Sequence, residues 1–335
     1  MVPAFFSKAM ILFNCDYSEG AHADILRRMA KTNMEQTAGY GEDPYCDQAR
    51  KLIAGLCGRT DLDIHFLIGG TQTNFTVIAA ALRPHQCVLC ADTGHINVHE
   101  SGAVEACGHK VSAIPSPDGK LTARQIEEAW HSHWDDETRE HMPQPRMVYI
   151  SQPTELGTIY SRKELQEISG VCRRRGLYLY MDGARLGYGL CDEDNDLDLP
   201  AIASLCDAFY IGGTKVGALF GEALVLRHEA LKEDFRYIAK QKGGRLAKGR
   251  LLGIQFLELF RDGLYFRLGA HADRLAVMLR DFCRSRGLAL PFSSGTNQQF
   301  VTMPDSVLEE LGRKYGFAYL RRCLLYTSPS PRDTR

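Results

Sequence analysis

Seven short apolar runs, at 64–68, 87–91, 110–114, 146–151, 177–181, 208–211 and 222–226, alternate with longer amphipathic stretches through most of this chain. Short runs rich in Val, Ile, Leu and Tyr read as strands. The stretches around them, apolar at helical spacing, read as helices over 22–33, 44–57, 72–82, 122–131 and 161–175. Strands alternating with helices specify an α/β fold with a mostly parallel seven-stranded sheet flanked by helices, and a ligand site at the carboxyl ends of the strands. After about residue 245 the pattern changes to helical stretches over 246–262 and 266–286 and a strand-like piece near 297–303. The domain reading is therefore a large domain over 14–245 and a smaller, incomplete α+β domain over 246–322.

Lys and Arg number 40 against 41 Asp and Glu, a formal net charge of −1, so no electrostatic footprint for nucleic acid exists. No run approaches the roughly 18 apolar residues of a membrane span. Residues 1–13 lack a basic leader and a small-residue cleavage site, which predicts a cytoplasmic protein without a signal peptide. The 11 cysteines are scattered through apolar segments, a pattern of buried reduced thiols. Cys87 and Cys90 form one CxxC without a second pair, so no metal site is expected there. The last residues, Leu324 to Arg335, are rich in Ser, Pro and Arg, and read either as a disordered natural tail or as a foreign end; residues 323–335 are assigned to a non-native tail.

Three segments carry chemistry. Gly69-Gly70-Thr71-Gln72-Thr73-Asn74 follows a strand and opens a helix, whose N–H groups can receive a phosphate; a plain structural turn is the alternative. Met181-Asp182-Gly183-Ala184-Arg185 places a carboxylate where a strand stops, either to hold a cationic ring nitrogen or to cap a helix. Gly212-Gly213-Thr214-Lys215 places an amine among glycines after another strand, where a solvated surface lysine is the alternative. Taken together they fit one cofactor, pyridoxal 5′-phosphate (PLP), which needs an anchored phosphate, an acid at its pyridine nitrogen and a lysine for the Schiff base.

With Asn14-Cys15-Asp16-Tyr17-Ser18-Glu19-Gly20, Gly39-Tyr40-Gly41-Glu42-Asp43 and Asp92-Thr93-Gly94-His95-Ile96-Asn97, these segments make six motifs in order. The chain resembles the threonine aldolase branch of the β-eliminating lyase family, PLP enzymes of fold type I, over about residues 10–320. The resemblance implies that Lys215 bonds the cofactor, Asp182 pairs with its ring nitrogen, Gly70, Thr71 and Gln72 bind its phosphate and His95 stacks on its ring. It implies further that Arg185 meets the substrate carboxylate, with a salt bridge to a nearby acid as the alternative, and that Tyr40 and the basic 240–250 stretch reach a neighbouring subunit's site in a homodimer or homotetramer. His95 and His99 lie one helical turn apart without a third ligand, so no metal is expected.

The chain departs from the family pattern at three places. Cys15 stands where Ser or Asn is usual, altering one substrate-carboxylate contact. Glu155 stands where many members have a histidine, so Glu155, His95 or a water they hold is the candidate base for the substrate hydroxyl. The family's closing strand, with a further arginine, has no counterpart after Tyr319, and Met10 matches the family's usual start. The expected activity is retro-aldol cleavage of threonine or allo-threonine to glycine and an aldehyde. The alternatives are β-elimination to pyruvate and ammonia, and a folded but inactive PLP-binding homologue.

Overall fold

The computed structural model describes residues 10–320. The expectations for residues 1–9 and for the tail at 323–335 lie outside the described residues. Among the described residues nine strands run in chain order: β1 (Ile11–Leu12), β2 (Asp63–Leu67), β3 (Gln86–Ala91), β4 (Lys110–Ile114), β5 (Gln144–Ser151), β6 (Tyr178–Asp182), β7 (Ala208–Gly212), β8 (Glu222–Leu226) and β9 (Tyr315–Gly316). Seven form one sheet in the order β2-β8-β7-β6-β5-β3-β4, while β1 and β9 pair apart from it. Strand β8 runs antiparallel to both of its neighbours; the remaining pairs are parallel.

Side chains alternate across a strand with period two, and the sheet divides its residues accordingly. Val148, Ile150, Leu179, Met181, Phe209 and Ile211 face one core, together with Leu165 and Ile168 of the helix Arg162–Arg175 and Phe256 of the helix Arg250–Arg261. Met147, Tyr149, Tyr178, Tyr180 and Tyr210 face the other, under Val77 and Ile78 of the helix Gly70–Ala81. Both layers bury large side chains to within 1% of full burial at Tyr149, Tyr180, Phe209 and Tyr210. Each such apolar side chain contributes about 1.5–3 kcal/mol. Strands buried on both faces explain why the sequence shows continuous apolar runs instead of an alternating pattern.

Helix boundaries follow local chemistry. Asp43 caps Pro44–Leu56, accepting from the N–H groups of Tyr45 (3.1 Å) and Cys46 (2.9 Å), with Pro44 at the first position where no N–H is required. Thr122 with Gln125 and Ser161 with Glu164 form reciprocal caps at Ala123–Trp134 and Arg162–Arg175, and Gly176 ends the latter in the left-handed region at φ 65°. The helix Arg250–Arg261 lies against Pro44–Leu56 so closely that a Cβ at Gly253 would come within 2.5 Å of Cys46 N.

The strand-like reading of 297–303 is corrected by the structure. Only a single antiparallel bridge, Ala289 to Thr302, forms there. Ser294 and Thr296, just before the segment, bond each other, and Gln299 turns back to donate to the carbonyls of Ser294 (3.1 Å) and Thr296 (2.9 Å). Such local bonds compete with ladder formation.

Candidate active site

Asp182 ends β6, on the same face as Tyr149 and Tyr210 because of the period-two arithmetic. It is 4% exposed. Oδ2 accepts from Tyr149 Oη at 2.6 Å and Asn74 Nδ2 at 3.0 Å; Oδ1 accepts from Tyr210 Oη at 2.6 Å and from the Ala184 N–H at 2.9 Å. Burial alone would raise its pKa, but the nearby His95 and the tyrosine and backbone donors outweigh it and hold the carboxyl below its ordinary value. The result is a desolvated acid held anionic. The next residue must be glycine, since a Cβ at Gly183 would run into the Tyr210 carbonyl oxygen.

Lys215 follows β7 after a turn of two further residues, Gly213 and Thr214. Glu222, at the start of β8 and 3% exposed, accepts from the Gly213 N–H at 3.1 Å and the Thr214 hydroxyl at 2.9 Å, which pins that turn. Burial pushes the Glu222 carboxyl up to about 8. Tyr188 Oη donates to the Lys215 carbonyl at 2.5 Å. Burial and the positive charge of Arg185 pull the Lys215 amine below its ordinary pKa, which enlarges the nucleophilic neutral fraction.

Gly69 precedes the helix Gly70–Ala81 in extended backbone, and no side chain caps it. The N–H groups of Gly70, Thr71 and Gln72, in the first turn, have no acceptor within the helix, an arrangement able to receive an anion. The Gln72 side chain accepts from the Ile68 N–H at 3.3 Å and donates to the Lys242 carbonyl at 3.2 Å, tying this turn to the basic 240–250 stretch.

His95 opens a short helix, His95–Val98, separated from the end of β3 by three residues. Its backbone N–H donates to Glu155 Oε1 at 2.9 Å and its Nδ1 pairs with Glu100 Oε1 at 2.8 Å. Glu100 is 4% exposed and also receives Asn74 Nδ2 at 2.7 Å. Burial works to lower the His95 pKa, but Glu100 and Asp182 prevail and raise it. Glu155 accepts from Ser151 Oγ at 2.7 Å as well, and burial raises its carboxyl. The structure thus brings His95, Glu155, Asp182 and Lys215 into one electrostatic neighbourhood.

Arg185 forms the salt bridge that the sequence left as an alternative: Nε and Nη2 grip Asp16 at 2.7 and 3.1 Å. Cys15 Sγ lies 2.9 Å from Ser18 Oγ. Tyr40 stands elsewhere, in left-handed backbone at φ 57°, with Lys240 Nζ 4.4 Å from its ring centre. It lines a cavity of about 30 Å³ with Arg50, His65, Arg236 and Arg245, whose lining includes neither Asp182 nor Lys215. His95 and His99 have ring centres 5.6 Å apart.

Sequence reasoning assigned no roles to Asn74, Glu100, Tyr149, Tyr210 and Glu222. Two signals were available. Tyr180 and Asp182 share a face by spacing, so tyrosines on that face of adjacent strands fall beside the acid; and Glu222 is a carboxylate opening an otherwise apolar strand.

Comparison with known proteins agrees with this geometry. The beta-eliminating lyase family profile matches residues 15–306. A low-specificity L-threonine aldolase from Pseudomonas sp. (strain NCIMB 10558) is 33% identical, over 90% of this chain and 87% of its own. The solved structure of Leishmania major threonine aldolase superposes with a TM-score of 0.89 at 47% identity, covering 91% of this chain and 88% of that one. An aspartate aminotransferase variant from Thermus thermophilus shares the fold alone, with a TM-score of 0.66 at 13% identity over 86% of this chain and 79% of that one. The sheet, the ordered motifs and these matches agree: the chain belongs to the beta-eliminating lyase family.

Proposed function

We propose that this protein is a PLP-dependent aldolase that cleaves threonine or allo-threonine between Cα and Cβ to give glycine and acetaldehyde. The carrying observation is the buried, anionic Asp182 beside Lys215, whose amine has no hydrogen-bond or ion-pair partner among the described residues. Similarity to threonine aldolases supports the substrate class.

The donor set fits the cofactor. The open N–H groups of Gly70, Thr71 and Gln72 suit a phosphate, Asp182 suits a protonated ring nitrogen, and Lys215 suits an aldehyde carbon. When bound, PLP supplies a ring that delocalises the electron pair of the bond that breaks. The protein's own residues do the rest. Arg185 orients the substrate carboxylate, with Cys15 next in sequence to its partner Asp16, and thereby decides which Cα bond is activated. His95 would stack on the ring of the bound cofactor. With its Nδ1–H donated to Glu100, Nε2 carries the lone pair that takes the β-hydroxyl proton. Glu155 holds His95 through its backbone N–H, and is the second candidate for that proton. Tyr40 and the 240–250 stretch would serve a neighbouring subunit's site in a homodimer or homotetramer, in the cytoplasm. We assign residues 14–245 to the PLP-binding domain and 246–322 to the smaller one, of which residues 246–320 are described.

The test is to load the purified protein with PLP, add L-threonine or L-allo-threonine and follow glycine. Glycine formation with either substrate is expected; pyruvate and ammonia in its place would establish β-elimination instead.

A further inference from the structure

The Arg185–Asp16 pair is nearly desolvated, its side chains 19% and 15% exposed. Arg185 approaches side-on, using Nε and Nη2. Asn297, in the loop after the long helix Leu264–Ser285, donates Nδ2 to Asp16 Oδ2 at 3.0 Å. Asp16 is held below its ordinary pKa against the cost of burial by Arg185, Lys215 and these hydrogen bonds, so it is a fixed anion. A guanidinium has five N–H donors in a rigid plane. The side-on grip consumes two, and leaves the end-on edge, Nη1 with the second Nη2 hydrogen, for another carboxylate in the same plane.

We propose that Asp16 is a positioning residue for substrate: it fixes the plane of Arg185 so that the end-on edge receives the amino-acid carboxylate, and Asn297 couples the 294–299 loop to that geometry. This rests on the aldolase reading of the site. Left unpaired, Arg185 would sample several rotamers, and the carboxylate would have to order it on binding. The competing arrangement, in which Asp16 occupies the place of the substrate carboxylate and must be displaced, predicts the opposite sign.

Two ligands separate these. Glycine carries an amine and a carboxylate; methylamine carries the amine alone. Dissociation constants of both are measured on PLP-loaded wild type, D16N and N297A, by the visible absorption of the bound cofactor and by calorimetry. D16N is expected to weaken glycine about tenfold and N297A about threefold, with methylamine and PLP unchanged within about twofold. Tighter glycine binding in D16N, or equal weakening of glycine and methylamine, would overturn the proposal. Should D16N fail to fold, N297A leaves both charges in place and carries the same comparison. A wild type that binds glycine yet forms none from β-hydroxy amino acids would remove the aldolase reading and leave the Asp16 comparison standing.

Discussion

Tyr210 donates its hydroxyl to Asp182 at 2.6 Å from a strand that ends three residues before Lys215. One strand therefore both supplies a donor that helps hold the acid anionic and carries the loop that bears the amine. Y210F keeps the packing and removes the donor. A hydrogen bond to a charged group is worth about 1.5–3 kcal/mol, so PLP affinity should fall about tenfold or more. The sign with pH follows from the lowered Asp182 pKa: the carboxylate is present above it and lost as pH falls through it. Y210F should move this acid limit of PLP binding to higher pH. Cofactor titration at several pH values reads both effects, and an unshifted limit would detach Tyr210 from Asp182.

His95 has a raised pKa because Glu100 faces its Nδ1. A base must be neutral, so kcat/KM should rise with pH through the His95 pKa. E100Q removes the charge that raises it, and the acidic limb should move to lower pH. H95Q should lower kcat by about 10²–10⁴, the usual contribution of a positioned base. E155Q is the control: full turnover in E155Q confines Glu155 to holding His95, and loss equal to that of H95Q would transfer the proton to Glu155.

Glu222 has its carboxyl pushed up to about 8 by burial. A folded pKa above the unfolded value, about 4.3, means that the native state binds the extra proton. Its contribution to stability is full below pH 4 and is lost as pH rises through 8. E222Q should therefore flatten the fall in stability between about pH 5 and 8 relative to wild type, as read by chemical denaturation of the apoprotein. Parallel pH profiles for the two proteins would contradict the buried-acid assignment.

Gly183 passes directly against the Tyr210 carbonyl, and its own carbonyl accepts from the Gly212 N–H at 2.9 Å. G183A forces β6 and β7 apart where Asp182 is held. A cost of about 1–3 kcal/mol or more is expected, with PLP affinity falling in step. A variant as stable as wild type, with normal cofactor binding, would show that the strand ends have room to relax.

The strands were legible because double burial leaves each of them as a continuous apolar run. The positions of Asp182 and Lys215 were legible because a polar residue at the end of such a run has only the carboxyl edge of the sheet to occupy. Segment 297–303 misled because its apolar and β-branched residues promise a strand, whereas Gln299 turns back to bond the carbonyls of Ser294 and Thr296 just before it. The partners of Asp182 were hidden for a different reason. Asn74, Tyr149 and Tyr210 lie up to 108 residues away in sequence, and only the strand order β7-β6-β5 and the overlying helix bring them together. Arg185 shows the limit of reasoning by residue type: one guanidinium suits a substrate carboxylate and Asp16 equally well, and geometry alone separates the two edges.

The most direct test of the central claim is product stoichiometry with L-allo-threonine, measured on PLP-loaded wild type and K215A. The account predicts glycine and acetaldehyde in equal amounts from wild type, no pyruvate, and turnover reduced to the uncatalysed level in K215A. Pyruvate with ammonia from wild type, or undiminished cleavage by K215A, would contradict it.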